Sequence, residues 1–152
     1  MASHVDFGVL LGLAYQSFVD ELRTDLQARG YDDLGGAYGY VFRALQEDSL
    51  YLRQLAERLG MTVQGAAKIV NAMELGGYLE RCPDPEDGRI KKLRLAKRGR
   101  AALAAARKFH ANYEQGIAAV LGQKEAATLR RALASLIAAD GADAAHARLR
   151  PL

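Results

Sequence analysis

The chain has 152 residues, half of them hydrophobic, which is enough to bury a core in one domain with helical extensions. Its one cysteine excludes an internal disulfide framework, and His4, His110 and His146 are scattered too widely to offer metal-ligand spacing. The net charge of +3 conceals a polarity, since residues 1–50 hold three cations against eight acids and residues 81–100 hold eight cations against three acids.

Along residues 9–26, Leu10, Leu13, Ala14, Phe18, Leu22 and Leu26 recur at three and four, which predicts an amphipathic helix of about five turns stopped near Gly30. No basic segment precedes this stretch, and Asp20, Glu21, Arg23 and Asp25 interrupt it well short of a membrane span. A non-exported chain in a reducing cytoplasm, with no membrane partner, is expected. After the loop Asp32-Asp33 to Gly35-Gly36, the stripe Ala37, Val41, Phe42, Leu45 predicts a shorter helix ending near Glu47. A third helix of about two turns carries Leu52, Leu55, Ala56 and Leu59 up to Gly60, and Thr62 is the N-cap of a fourth carrying Ala66, Ile69, Val70 and Met73. Gly76-Gly77 ends it.

There the period changes from helical to alternating. Residues 78–82 form a short strand, residues 83–88 are turn material, and residues 90–95 alternate apolar with basic as the returning strand. From about Lys97 to Leu121 an Ala-rich helix sets Leu103, Ala106, His110, Tyr113, Ile117 and Val120 on one face. A last stripe follows Gly122 with Leu129, Leu133, Leu136 and Ile137, and the Ala-rich tail from Asp140 reads as either helical or frayed.

The third and fourth helices are joined by Gly60-Met61-Thr62, a link short enough to force a steep crossing and thus a helix-turn-helix. Ala56 is small at the close approach, Gly60 permits φ > 0, and Leu55, Leu59, Ala66 and Ile69 are the expected shared core. The other face of the fourth helix offers Gln64, Gly65, Ala67, Lys68 and Asn71, where Gln and Asn suit adenine edges and Lys suits guanine or phosphate. An ordinary helical hairpin with one solvated side has the same pattern. The next stretch, CPDPEDGRIKKLRL from Cys82 to Leu95, weighs against that alternative, because a basic hairpin directly after a helix-turn-helix makes a winged helix. The clustered cations suit a polyanion through counterion release, although a solvated surface balancing the acidic half accounts for charge alone equally well.

In this order of parts the chain resembles the MarR family of bacterial transcription regulators, in detail from about Leu52 through Gly99 and in layout over its length. The family's Gly, two apolar residues, any residue and Arg stand here as Gly77-Tyr78-Leu79-Glu80-Arg81. Its wing motif stands as Asp87-Gly88-Arg89, IKKLR, Leu95-Ala96 and Gly99, with Ala96 in place of the usual Thr. That departure removes an N-cap, a loss of about 0.5–2 kcal/mol, and leaves open where the next helix begins.

The resemblance implies a mainly α fold: a winged helix-turn-helix DNA-binding domain at 34–96, flanked by helices at 1–30 and 97–152 that form a dimerisation region. It implies a homodimeric regulator of double-stranded DNA, a repressor on pseudo-palindromic operators, with Arg89 entering the minor groove and Asp87 holding it. Gly88 would let the hairpin turn tightly, and Lys91, Lys92 and Arg94 would meet phosphates. Thr62 and Arg81 complete the expected DNA-contacting set with Gln64, Gly65, Ala67, Lys68 and Asn71.

Many relatives release DNA on binding a small aromatic or anionic effector. Tyr15, Tyr38, Tyr40, Phe42 and Tyr113 could line such a cavity, but aromatics at helical spacing are more often core. Cys82, beside Pro83 at the base of the hairpin, departs from the family's redox position in the first helix, and no His/Cys/acid cluster provides for zinc. No cofactor is expected. Without a phosphate-cradling Gly loop, a nucleophile elbow or an acid pair in an apolar frame, the chain is not expected to be an enzyme. The competing reading is a winged-helix module that binds another protein, which would not need the seven cations between Arg89 and Arg100.

Overall fold

The computed structural model describes residues 5–139; the tail from Asp140, His4 and His146 lie outside the described residues. Along the described chain run α1 (Phe7–Ala28), α2 (Tyr38–Leu45), α3 (Leu52–Leu59), α4 (Val63–Leu75), β1 (Leu79–Pro83), β2 (Lys91–Leu95), α5 (Lys97–Leu121) and α6 (Gln123–Ala139). The chain divides into two compact units, Met1–Leu34 and Gly35–Leu152.

In the N-terminal unit, α1 begins two residues ahead of the predicted start and closes where Gly30 was expected to stop it. The Gly30 N–H reaches the Gln27 carbonyl at 3.0 Å, and the Tyr31 N–H reaches Leu26 at 2.9 Å. The first half of the apolar stripe is exposed, with Leu10 and Leu13, like Phe7 and Tyr15 beside them, more than half accessible, whereas Leu26 at its end is buried.

The second unit is built around the helix-turn-helix. Helix α3 ends at Gly60, whose φ of 64° lets its N–H reach Glu57 and the next N–H, of Met61, reach Ala56, so two end carbonyls of the helix are satisfied within the turn. Helix α4 then starts at its cap, where the Thr62 hydroxyl accepts the Gly65 N–H at 3.0 Å. It ends on the same device: Gly77, at φ 77°, turns the chain so that the Tyr78 N–H meets the Met73 carbonyl at 2.8 Å. Met73 and Tyr78 are both fully buried, the apolar pair that accompanies such a turn. The Gly-Tyr of the sequence motif therefore ends α4 and drops a large ring into the core.

That core joins Val41, Phe42 and Leu45 of α2 to Leu55, Ala56 and Leu59 of α3, to Ala66, Val70 and Met73 of α4, and to Leu79, Leu93 and Leu95 of the hairpin. Ile69, expected in the helix-turn-helix core, is only half-buried; Val70 and Met73 take that place because the inward stripe of α4 runs 66, 70, 73. Tyr78 is packed edge-on by Tyr38 and Phe42, each with its ring centroid 5.9 Å away, and the Arg98 guanidinium lies 4.4 Å over its ring.

The hairpin pairs Leu79 with Leu95 and Pro83 with Lys91, one residue later on the first strand than the period suggested. Tyr78 belongs to the turn ending α4 and so cannot start the strand. A third element went unpredicted: Leu50, between α2 and α3, forms an antiparallel bridge to Leu93 with hydrogen bonds of 3.0 and 2.7 Å. One residue gives no alternation to detect.

Helix α5 begins at Lys97, after Ala96, with no side-chain cap. The Ala96 N–H instead bonds the Tyr78 carbonyl at 2.9 Å, and a Cβ on Gly99 would stand 2.1 Å from that same oxygen. The motif glycine is thus a contact of backbone on backbone that no larger residue fits. Gly99 and Ala102 are buried, so the first turns of α5 belong to the winged-helix core and not to a separate helical region. Farther along, α5 and α6 pack on each other, with Arg130 bonded to Glu114 at 2.6 Å, yet none of α6 is buried.

Candidate nucleic-acid interface

The cap at Thr62 fixes which face of α4 turns outward. Val63, Gln64, Lys68 and Asn71 are exposed, Gly65 and Ala67 are half-exposed between them, and Ala66 and Val70 are buried beneath. Gln64, Lys68 and Asn71 follow at i, i+4 and i+7, one stripe of a helix. Val63, 46% exposed at the helix start, extends that face and was not singled out from the sequence, where it read as one more apolar residue.

Arg81 and Asn71, both expected as DNA contacts, meet each other. From β1, the Arg81 guanidinium donates to Asn71 Oδ1 at 2.9 Å and to Glu74 Oε2 at 3.0 Å. Arginine can only donate, so the amide oxygen of Asn71 must face it and the NH₂ is what the side chain presents outward. Arg81 thereby orders Asn71 and is itself tied down.

At the wing tip, Arg89 has a side chain 92% exposed. Asp87 Oδ1 accepts both its backbone N–H at 3.1 Å and its Nε at 3.2 Å, the holding role expected of that carboxylate. Gly88 does not have the expected part. It takes no positive φ, and a Cβ there would meet nothing within 4 Å. The bend is made instead by Asp84, whose Oδ1 accepts the N–H groups of Glu86 at 2.8 Å and Asp87 at 3.2 Å, while its own N–H reaches the Ile90 carbonyl at 2.8 Å.

The basic run is partly engaged within the fold. Arg98 donates to the Gly76 carbonyl at 2.6 Å, and Arg100 to Leu95 at 2.7 Å. Arg94 is bonded across the hairpin to Glu80 at 2.6 Å. Lys92 lies 3.7 Å from Asp84 and 5.0 Å over the Tyr51 ring. Arg89, Lys91 and Lys97 are exposed on or beside the wing and Lys68 on α4; Arg94 and Arg100 are exposed too, with their guanidinium groups bonded within the fold.

The acids of CPDPED, hard to place beside DNA, divide in two: Glu86 is exposed and Asp84 is buried at 8%. The Tyr51 hydroxyl donates to Asp84 Oδ2. That bond, then the Glu86 amide, holds the Asp84 carboxyl below the usual carboxylate range, and the same bond pushes the Tyr51 phenol up. Neither residue was picked out from the sequence, where an acid between two prolines looks like solvated turn and its partner lies 33 residues away.

A family model described as MarR family matches residues 32–90, the helix-turn-helix and most of the wing. Over these residues the chain is similar to the MarR family. Among curated proteins the chain is 24% identical over 117 residues to the exopolysaccharide II synthesis transcriptional activator ExpG of Rhizobium meliloti, covering 77% of itself and 60% of ExpG. It is 25% identical over 77 residues to the uncharacterized HTH-type transcriptional regulator YybA of Bacillus subtilis, covering 51% of each. It thus spans 51–60% of the length of these curated relatives.

Its fold matches RV1404 from Mycobacterium tuberculosis with a TM-score of 0.76 at 20% identity, covering 93% of this chain and 99% of that one. The reduced form of MarR from E. coli follows at TM-score 0.70 and 20% identity, with 89% and 98% covered. A S. aureus MepR mutant bound to an oligodeoxyribonucleotide matches at 0.64 and 18%, with 90% and 99% covered. The MarR family is one of DNA-binding transcriptional regulators and not of enzymes.

The aromatic residues weighed as a cavity lining are mostly engaged elsewhere. Phe42 is buried at 4% and shares the Tyr78 ring with Tyr38. Tyr113 stacks on Phe109 at 5.8 Å, Tyr40 is half-buried on α2, and Tyr15 is exposed on α1 in the other unit. Cys82 is half-buried on β1 opposite Lys92. Among the described residues no cluster of His, Cys, Asp or Glu could hold a metal ion, and no helix is long and apolar enough to cross a membrane.

Proposed function

We propose that this chain is a cytoplasmic, sequence-specific regulator that binds double-stranded DNA as a homodimer on pseudo-palindromic operators and represses by occupying them. The observation that carries the reading is the joint exposure, on one packed module, of the outer face of α4 and of Arg89 at the wing tip. In the major groove Gln64 pairs with an adenine edge, Lys68 reaches guanine or phosphate, and Val63 meets a thymine methyl. Gly65 and Ala67 keep that face low enough to approach the bases. Asn71, its oxygen held by Arg81, donates to a base acceptor or a phosphate. Arg89 enters the minor groove, where narrow A·T-rich segments concentrate negative potential.

The homodimer is supported by α6, whose Leu129, Leu133, Leu136 and Ile137 recur on one helical face and are all at least 41% exposed in the single chain. Two copies would present two recognition helices about one turn of DNA apart. A monomer by light scattering at micromolar concentration would overturn this part.

The test is a gel-shift titration on a duplex selected from a random library, repeated across salt concentrations. A DNA reader loses affinity with a slope of about −0.9 in log salt for each phosphate neutralised. Arg89→Ala should weaken binding about tenfold or more while circular dichroism stays unchanged, as expected for a charge-assisted contact in a groove. No enriched duplex, or binding indifferent to salt, would point to a protein-binding winged helix. Transcription in vitro from a promoter carrying the selected site should fall when the protein is added; a rise would assign activation.

A further inference from the structure

Asp84 is the one buried charged side chain among the described residues. A carboxylate taken out of water is costly unless its lone pairs are met, and here they are met from three separate segments. The turn supplies the Glu86 and Asp87 amides, β2 supplies the Lys92 ammonium, and the residue just ahead of α3 supplies the Tyr51 hydroxyl. Tyr51 is itself held, with its N–H bonded to Gln54 Oε1 at 2.9 Å in the first turn of α3. Its neighbour Leu50 is bridged to Leu93.

The wing is therefore tied to the start of the helix-turn-helix twice, by backbone at Leu50–Leu93 and by side chain at Tyr51–Asp84. A short hairpin tied at one point can pivot; tied at two, it is held at one angle. The second tie runs on to the tip, because Asp84 binds the Asp87 amide and Asp87 binds Arg89. Pro85 assists, since it confines Asp84 to extended backbone and offers no N–H of its own, leaving those of Glu86 and Asp87 to the carboxylate.

We infer that Tyr51 and Asp84 are positioning residues for Arg89, forming the joint that sets the wing's angle to the recognition helix and so the distance between the major- and minor-groove contacts. The inference rests on the DNA-reading function proposed above. It also removes Lys92 from the phosphate contacts, because its ammonium belongs to the joint.

Tyr51→Phe deletes only the hydroxyl and keeps the ring under Lys92, so the fold should survive. In the DNA-free protein, amide exchange at Glu86, Asp87 and Ile90 should quicken about tenfold while the α3 and α4 amides are unmoved, in line with losing one bond to a charged acceptor. Unchanged exchange at those three amides overturns the joint, whatever the protein does with DNA.

On the selected duplex, Tyr51→Phe should weaken binding about tenfold in the wild-type background and less than about twofold in Arg89→Ala, because a residue acting through Arg89 loses its effect when Arg89 is gone. Equal losses in both backgrounds would make Tyr51 a merely structural residue and overturn the positioning role. If Arg89→Ala binds as wild type, the wing reading itself fails, and faster exchange in the free protein would then leave a joint that serves stability alone. Lys92→Gln should lower the salt slope by less than Lys91→Gln does; the reverse would return Lys92 to the phosphate contacts and count against the joint.

Discussion

The α3–α4 pair and α6 carry the same kind of apolar stripe and meet opposite fates. Leu55, Val70 and Met73 are fully buried, whereas Leu129, Leu133 and Leu136 of α6 stay at least 41% exposed in the single chain. Periodicity says which side of a helix needs covering and nothing about what covers it. In the winged-helix module the cover is local: Gly60 and Gly77 fold the next segment straight back, bringing Tyr78 and the hairpin onto the helices. Past Ala102 no described residue of α5 or α6 is buried, and the cover proposed for the α6 stripe is a second copy of the chain.

The largest expected effect tests that contrast directly. Leu55→Ala should cost about 2–5 kcal/mol in urea unfolding, by the same amount at any protein concentration, since its neighbours are in the same chain. Leu133→Asp should leave the module folded and instead raise the monomer fraction in sedimentation. If it leaves the association state untouched, α6 is not the covered face and the contrast fails.

A second comparison lies within one helix. Gly99→Ala forces a Cβ against the Tyr78 carbonyl and should destabilise by about 1–3 kcal/mol or more in thermal melts. At Gly116, also in α5, a Cβ would meet nothing within 4 Å, so the same change should stabilise by up to about 1 kcal/mol through helix propensity. A destabilising Gly116→Ala would place another chain against that turn.

The smallest effect separates the wing from the rest by pH. Asp84 is held below the usual carboxylate range by the Tyr51 hydroxyl first and the turn amides next, so its bonds stabilise the wing above that range. That contribution is lost as pH falls through the lowered value. Amide exchange at Glu86 and Asp87 should therefore rise in strong acid, and in Tyr51→Phe the rise should come at a higher pH. Identical acid profiles for the two proteins would mean that the tyrosine does not govern the carboxyl.

Much of this could be read from the residues in order. The helix ends at Gly30, Gly60 and Gly77, the cap at Thr62, the wing after the helix-turn-helix and the exposed Arg89 held by Asp87 follow from local rules, because each depends on atoms within a few residues. What failed were inferences in which a local pattern was given a global partner. Gly88 looked like the turn-maker, yet Asp84 makes the turn. Lys92 and Arg94 were expected to meet phosphates with Lys91, and the sequence did not show that each also has an acceptor within the fold, as Arg98 and Arg100 do.

Sequence alone thus determined the order of elements and the two surfaces proposed to meet DNA, since hydrophobic period, capping chemistry and charge are written along the chain. Tertiary structure decided which cations remain available, why Gly99 must be glycine, and that an acid in a proline-rich turn is tied to a tyrosine 33 residues away. Those outcomes depend on which groups come within bonding distance through space, and a charged side chain shows its role only when its partner is in place.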